Sequence, residues 1–133
     1  MNPTKPTFVK IDGGRTAAGF GKEKMDCTVV AYATALEIPY IEAYEHLKAC
    51  GRKKNKGFFW HKAVSGDDRF LYNDNSNVRK KYPTVHQFVK HNTIGTYVLK
   101  IAGHVLTLKD GIVYDTMRTK FKARLYSVTE VLR

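Results

Sequence analysis

Cysteine is scarce in this chain: Cys27 and Cys50 are the only two among 133 residues. A disulfide-stapled scaffold is thereby excluded, and two thiols without a secretion signal fit a reducing, cytoplasmic compartment. Long apolar runs are also lacking. No stretch approaches the roughly 20 residues that a membrane span requires. The opening Met1–Lys10 holds two prolines and no apolar segment, so it reads as an extended N-terminal arm and not as a signal peptide. Carboxylates are in short supply as well, with 12 Asp and Glu against 23 Lys and Arg. The net charge of +11 implies acidic company, such as nucleic acid, a ribosome or an acidic protein.

What is present is enough for a real core. An apolar fraction of 43% with eight Tyr, seven Phe and one Trp points to one globular domain over residues 1–133. The most ordered stretch begins at Asp26-Cys27. Counting from Cys27, positions Val30, Ala31, Thr34, Ala35 and Ile38 fall at helical spacing. Asp26 suits the N-cap, where its carboxylate would accept from the first free backbone N–H groups. A thiol in the first turn faces the positive end of the helix dipole, which favours the nucleophilic thiolate. The helix is expected to stop near Glu37-Ile38-Pro39, since a residue before proline is pushed out of helical geometry. A second helix is predicted from Tyr40 to Cys50, with Ile41, Tyr44, Leu47 and Lys48 on one side and Gly51 as C-cap. The two would form a helical hairpin.

Ahead of them, Ile11 to Gly21 carries four glycines within nine residues. It lacks the Gly-Lys-Ser/Thr ending of a phosphate loop, so it reads as a tight loop bordering Cys27. Behind them, Arg52, Lys53, Lys54 and Lys56 lead into Phe58, Phe59 and Trp60. Basic residues followed by aromatics are candidates for gripping a partner or a nucleic-acid backbone and stacking on bases. A zinc site built from His46, Cys50, His61 and Cys27 lacks any tight paired-ligand motif, and no metal or other cofactor is expected.

From Gly95 the period changes to two. Tyr97–Ala102, His104–Leu108, Ile112–Asp115 and Phe121–Val128 read as strands, with Phe70–Tyr72 as a short edge strand and a brief helix opening at Pro83-Thr84. Helices first and a meandering sheet afterwards predict an α+β domain with a mainly antiparallel sheet. Lys109-Asp110-Gly111 is a hairpin signal. A turn with Gly111 as its bulge sets His104 opposite Asp115 or Thr116; a two-residue loop makes Asp115 a diagonal neighbour of His104 on the same face. Either way a carboxylate can fix the imidazole tautomer and leave the other nitrogen free as a base. Cys27, His104 and Asp115 thus stand as nucleophile, base and orienting group.

This order resembles papain-like cysteine peptidases in the broad sense, including compact bacterial and bacteriophage relatives. Asp12-Gly13-Gly14-Arg15, Ala17-Ala18-Gly19-Phe20, Asp26-Cys27, Gly103-His104, Asp110-Gly111 and Asp115-Thr116 are similar to a phage and bacterial family of that kind. The similarity spans roughly residues 11–51 and 95–116. It implies a phage-encoded thiol hydrolase of peptidase or amidase type, acting on a peptide or protein substrate in the host cytoplasm. The alternative is a non-catalytic basic protein on the same fold that docks on nucleic acid, ribosome or a host protein. Papain-like enzymes usually place a glutamine shortly before the cysteine, and this chain's only glutamine is Gln87. An oxyanion would then rely on the Cys27 backbone N–H and a second donor, for which Arg15 or a glycine amide of the loop are the candidates.

Overall fold

A computed structural model describes residues 7–73 and 80–132. Residues 1–6 of the predicted arm lie outside them, as do residues 74–79. In chain order the elements are β1 (Thr7–Lys10), α1 (Cys27–Leu36), α2 (Tyr40–Ala49), α3 (Trp60–Val64), β2 (Phe70–Asn73), α4 (Val85–His91), β3 (Thr96–Ile101), β4 (His104–Lys109), β5 (Ile112–Asp115) and β6 (Ser127–Val131). The six strands form one sheet in the order β1-β5-β4-β3-β6-β2. All neighbours are antiparallel except β1 and β5. The domain is therefore α+β with a mixed sheet. No helix among the described residues is long and apolar enough to cross a membrane.

The end of the expected arm is a strand. Thr7–Lys10 lies parallel to Ile112–Asp115, and Ile11 N–H donates to the Asp115 carbonyl at 2.8 Å. This pairing is what makes the sheet mixed. It is invisible locally, because the partner strand lies far along the chain. The last strand begins at Ser127 and not at Phe121. Residues 121–126 instead run irregularly past α4, with Ala123 and Phe121 carbonyls accepting from Val85 and His86 N–H.

Both faces of the sheet are covered. On one, α1, α2 and α3 pack with Val98, Val105 and Val131; on the other, α4 packs through Val85, Phe88 and Val89 with Leu99, Leu106, Leu108 and Val113. The alternation of side chains along β3 and β4 assigns each residue to its layer. Helix α1 is buried almost all round, from Thr28 to Ala33 and again at Ala35. Its single-stripe reading was too narrow, because a second layer lies against its outer side. In α2 the buried stripe is Tyr40, Ala43 and Leu47, while Ile41 is exposed. Polar residues that face the helix layer are satisfied: Thr107 Oγ1 donates to the Ala31 carbonyl and Trp60 Nε1 to Thr129 Oγ1 at 2.8 Å.

The β4–β5 hairpin closes on two residues, Asp110 and Gly111, with φ of 46° and 84°. Positive φ at both central positions is the type I′ requirement, and it matches the twist of the flanking strands. Lys109 pairs Ile112 and Thr107 pairs Tyr114. The bulged alternative is thereby overturned, and the two-residue register places Asp115 diagonal to His104.

Candidate active site

The thiol of Cys27 sits at the first residue of α1, where the backbone N–H groups have no intrahelical acceptor. How the chain arrives there is the work of three buried polar groups. The Asp26 side chain makes no cap hydrogen bond, contrary to its expected N-cap role. Its Oδ1 accepts from Arg15 Nη1 at 3.0 Å and its Oδ2 from the Tyr40 hydroxyl at 2.9 Å. The carboxylate is thus a tertiary anchor, and two donors from distant segments compete successfully with the local backbone. Arg15, the candidate oxyanion donor, is committed to Asp26 through this bond and lies outside the lining of the Cys27 cleft.

The glycine-rich loop is shaped by the same logic. Asp12 accepts from the N–H groups of Gly14 and Thr16, and the Thr16 hydroxyl, then the Thr16 and Gly14 N–H groups, hold its carboxyl below the usual range. Gly13 has φ of 67° and presses on α1; a Cβ there would stand 3.0 Å from Val30 Cγ1. The loop therefore seats α1, and Phe20 packs on Tyr40 and Tyr44.

On the other side of Cys27, Glu23 and Arg52 form an ion pair at 3.0 Å with both side chains almost wholly buried. Arg52 Nη2 also donates to the Lys24 carbonyl at 3.1 Å. Asn55 ties in by its N–H to Glu23 Oε1 and by its Oδ1 to Lys24 N–H. This clamp locks the approach to Cys27 against the segment that forms the cleft wall. Arg52 is accordingly a structural cation and not part of a partner-binding run. Trp60, likewise expected at a binding surface, is 1% exposed and belongs to the core. Lys53, Lys54, Lys56 and Phe59 are exposed, and Phe58 is half-buried.

His104 opens β4 directly after the tight turn at Ala102-Gly103. Its Nε2 lies 2.6 Å from Asp115 Oδ1, and Asp115 Oδ2 accepts from Thr119 Oγ1 at 3.0 Å. Asp115 is 2% exposed. With Nε2 so engaged, Nδ1 is the nitrogen left for the thiol. Cys27, His104 and Val105 line one cleft, and the acidity of the thiol responds to the His104 side chain and the Val105 backbone N–H. Burial alone would push the thiol up. The His104 and Val105 hydrogen bonds and the imidazolium charge outweigh burial and hold it below its ordinary value. For His104, burial opposes charging, but hydrogen bonds to Asp115 and Cys27 and their negative charges prevail and raise it to about 9. The two shifts run in the direction that favours thiolate and imidazolium together, the forms needed for attack and for protonation of a leaving group.

In front of the thiol lies a cleft of about 390 Å³. Thr28, Phe58, Phe59, Lys62, Lys100 and His104 are among its walls. Thr119, the Val105 N–H, and the Glu23–Arg52–Asn55 clamp were not legible in the sequence. Only the placement of Thr119 four residues after Asp115, past a turn, offered a signal. Both cysteines are free thiols. His46 Nε2 lies 2.8 Å from the Ala63 carbonyl and its ring stacks on Tyr32, a packing role. Among the described residues no group of three His, Cys, Asp or Glu side chains is arranged to hold a metal. Compared with protein-family models, curated proteins and solved structures, the chain matches none.

Proposed function

We propose that this protein is a papain-like thiol hydrolase of peptidase or amidase type, built on an α1–α2 helical hairpin against the sheet. The supporting observation is Cys27 and His104 on one cleft with His104 Nε2 held 2.6 Å from Asp115 Oδ1, the thiol drawn down and the imidazole held up. The Cys27 thiolate attacks an amide carbonyl, forming a C–S bond and a tetrahedral oxyanion. Collapse breaks the C–N bond, and the amine leaves with the proton from His104. Water then gives a proton to His104 and its oxygen to the acyl carbon, and the thiolate departs. In this reading the Cys27 N–H at the head of α1, where amides have no intrahelical acceptor, donates to the oxyanion. The resemblance noted above supports the cytoplasm of a phage-infected or bacterial cell as the setting of this chemistry.

The exposed Lys53, Lys54 and Lys56 favour a second reading, a non-catalytic protein docked on nucleic acid, ribosome or an acidic host protein. One experiment separates the two. Cys27 should alkylate rapidly with iodoacetamide below neutral pH, with Cys50 as internal control, and His104→Ala should abolish that advantage. A Cys27 that reacts no faster than an ordinary thiol with a pKa of about 8.5 sinks the hydrolase reading and leaves the docking one.

A further inference from the structure

The cleft has a charge bias that the reaction itself does not require. Among the described residues its walls contain Lys62 and Lys100 and no carboxylate. Asp115, the acid paired with His104, is buried and engaged by His104 and Thr119. The two ammonium groups add positive charge to the field that a substrate meets in the cleft. Lys62 Nζ lies 5.3 Å from the centre of the Phe59 ring, which is 62% exposed. Cation and aromatic thus share one wall. Lys100 Nζ gives one N–H to the Ile101 carbonyl at 2.8 Å, which fixes the ammonium while two N–H groups remain to donate. Met25, 65% exposed, continues the apolar rim beside Gly57.

Resting on the hydrolase reading, we propose that this cleft selects acidic peptides. A Glu or Asp side chain flanking the scissile amide pairs with Lys62 and Lys100, while a neighbouring apolar side chain packs on Phe58 and Phe59. A basic peptide meets repulsion from both lysines and finds no acid to pair with. Neither lysine touches the reacting atoms in this scheme. They set specificity.

Two measurements on the full chain test it. Internally quenched peptides that differ only in carrying Glu, Gln or Lys beside the cleaved bond should rank in that order in kcat/KM. About a tenfold spread between Glu and Lys is expected at low salt, shrinking as salt rises. Lys62→Glu with Lys100→Glu should invert the order. Equal turnover of the three peptides overturns the proposal while leaving the hydrolase reading intact. Failure to cleave any peptide, with an unreactive Cys27, overturns both.

The second measurement needs no turnover. The rate of Cys27 labelling by anionic iodoacetate relative to neutral iodoacetamide should exceed that at Cys50. It should fall about fivefold to tenfold in Lys62→Gln/Lys100→Gln, since glutamine can still donate to the Ile101 carbonyl. An unchanged ratio overturns the proposal. So does protection of Cys27 by an oligonucleotide but not by a Glu-rich peptide, which would make the occupant a nucleic acid.

Discussion

The thiol and the imidazole each carry two opposed influences, and what decides their state is the company each keeps. Burial disfavours charge on both; mutual contact and Asp115 restore it. The thiolate forms as pH rises through the lowered Cys27 value. The imidazolium is lost as pH rises through about 9. Hydrolysis needs both, so its rate should follow a bell whose falling limb lies near 9, while alkylation, which needs only the thiolate, should rise to a plateau. Asp115→Asn removes the strongest force holding His104 protonated and leaves burial in place. The falling limb should then move to lower pH, and kcat/KM at pH 8 should drop on the order of 10²-fold or more. A pH–rate profile whose upper limb stays put would show that Asp115 does not orient the base. These residues were readable because each sits where a local rule applies: a helix start for Cys27, a hairpin for His104 and Asp115. Asp26 was misread because the N-cap rule is local, whereas Arg15 and Tyr40 reach its carboxylate from elsewhere.

Between elements, the fold depends on contacts that composition cannot announce. In the run Arg52-Lys53-Lys54 nothing local separates the first cation from the next two. Yet Arg52 is 5% exposed and the lysines are on the surface. The distant Glu23 decides it, by offering a buried carboxylate that only one of them reaches. Trp60 was misplaced for the same reason, its partner Thr129 being on the last strand. Strands β3 to β5 were legible because alternation and an Asp-Gly turn are short-range signals. Strand β1 was not, because parallel pairing needs no nearby turn. The clamp carries a quantitative consequence. Arg52→Ala strands the Glu23 carboxylate in the interior and should cost about 3–5 kcal/mol in urea unfolding. Glu23→Leu in the same chain should return much of that loss, because the uncompensated charge is gone. A single-variant loss under about 1 kcal/mol would mean that water or another cation reaches Glu23. Lys53→Ala and Lys54→Ala, beside it, should change stability by no more than about 0.5 kcal/mol.

For the whole molecule, the site lies where the two layers meet. Alternation gives His104 and Asp115 to the sheet face of Leu106 and Val113, whereas Cys27 comes from α1 on the opposite face. They join at the end of β4, beside its first residues. The composition foretold neither this junction nor how far burial would skew the surface charge. Glu23, Asp26 and Asp115 are all buried, against Arg52 alone among the lysines and arginines described. Among the described residues, folding therefore hides more negative than positive charge, and their exterior is more basic than their composition alone would make it. Such a surface repels itself, and salt relieves the repulsion because the Debye length falls from tens of ångströms to a few. The surface pairs that salt would weaken include Arg69–Asp67 and Lys109–Glu37, each with one exposed partner. Raising NaCl from about 0.02 M to 0.5 M should thus raise the melting temperature by a few degrees, whereas the same salt should erode the preference for acidic peptides. The opposite responses separate a general effect of charge on folding from a local one at the cleft. A melting temperature that falls over this range would mean that attractive surface pairs outweigh the excess positive charge.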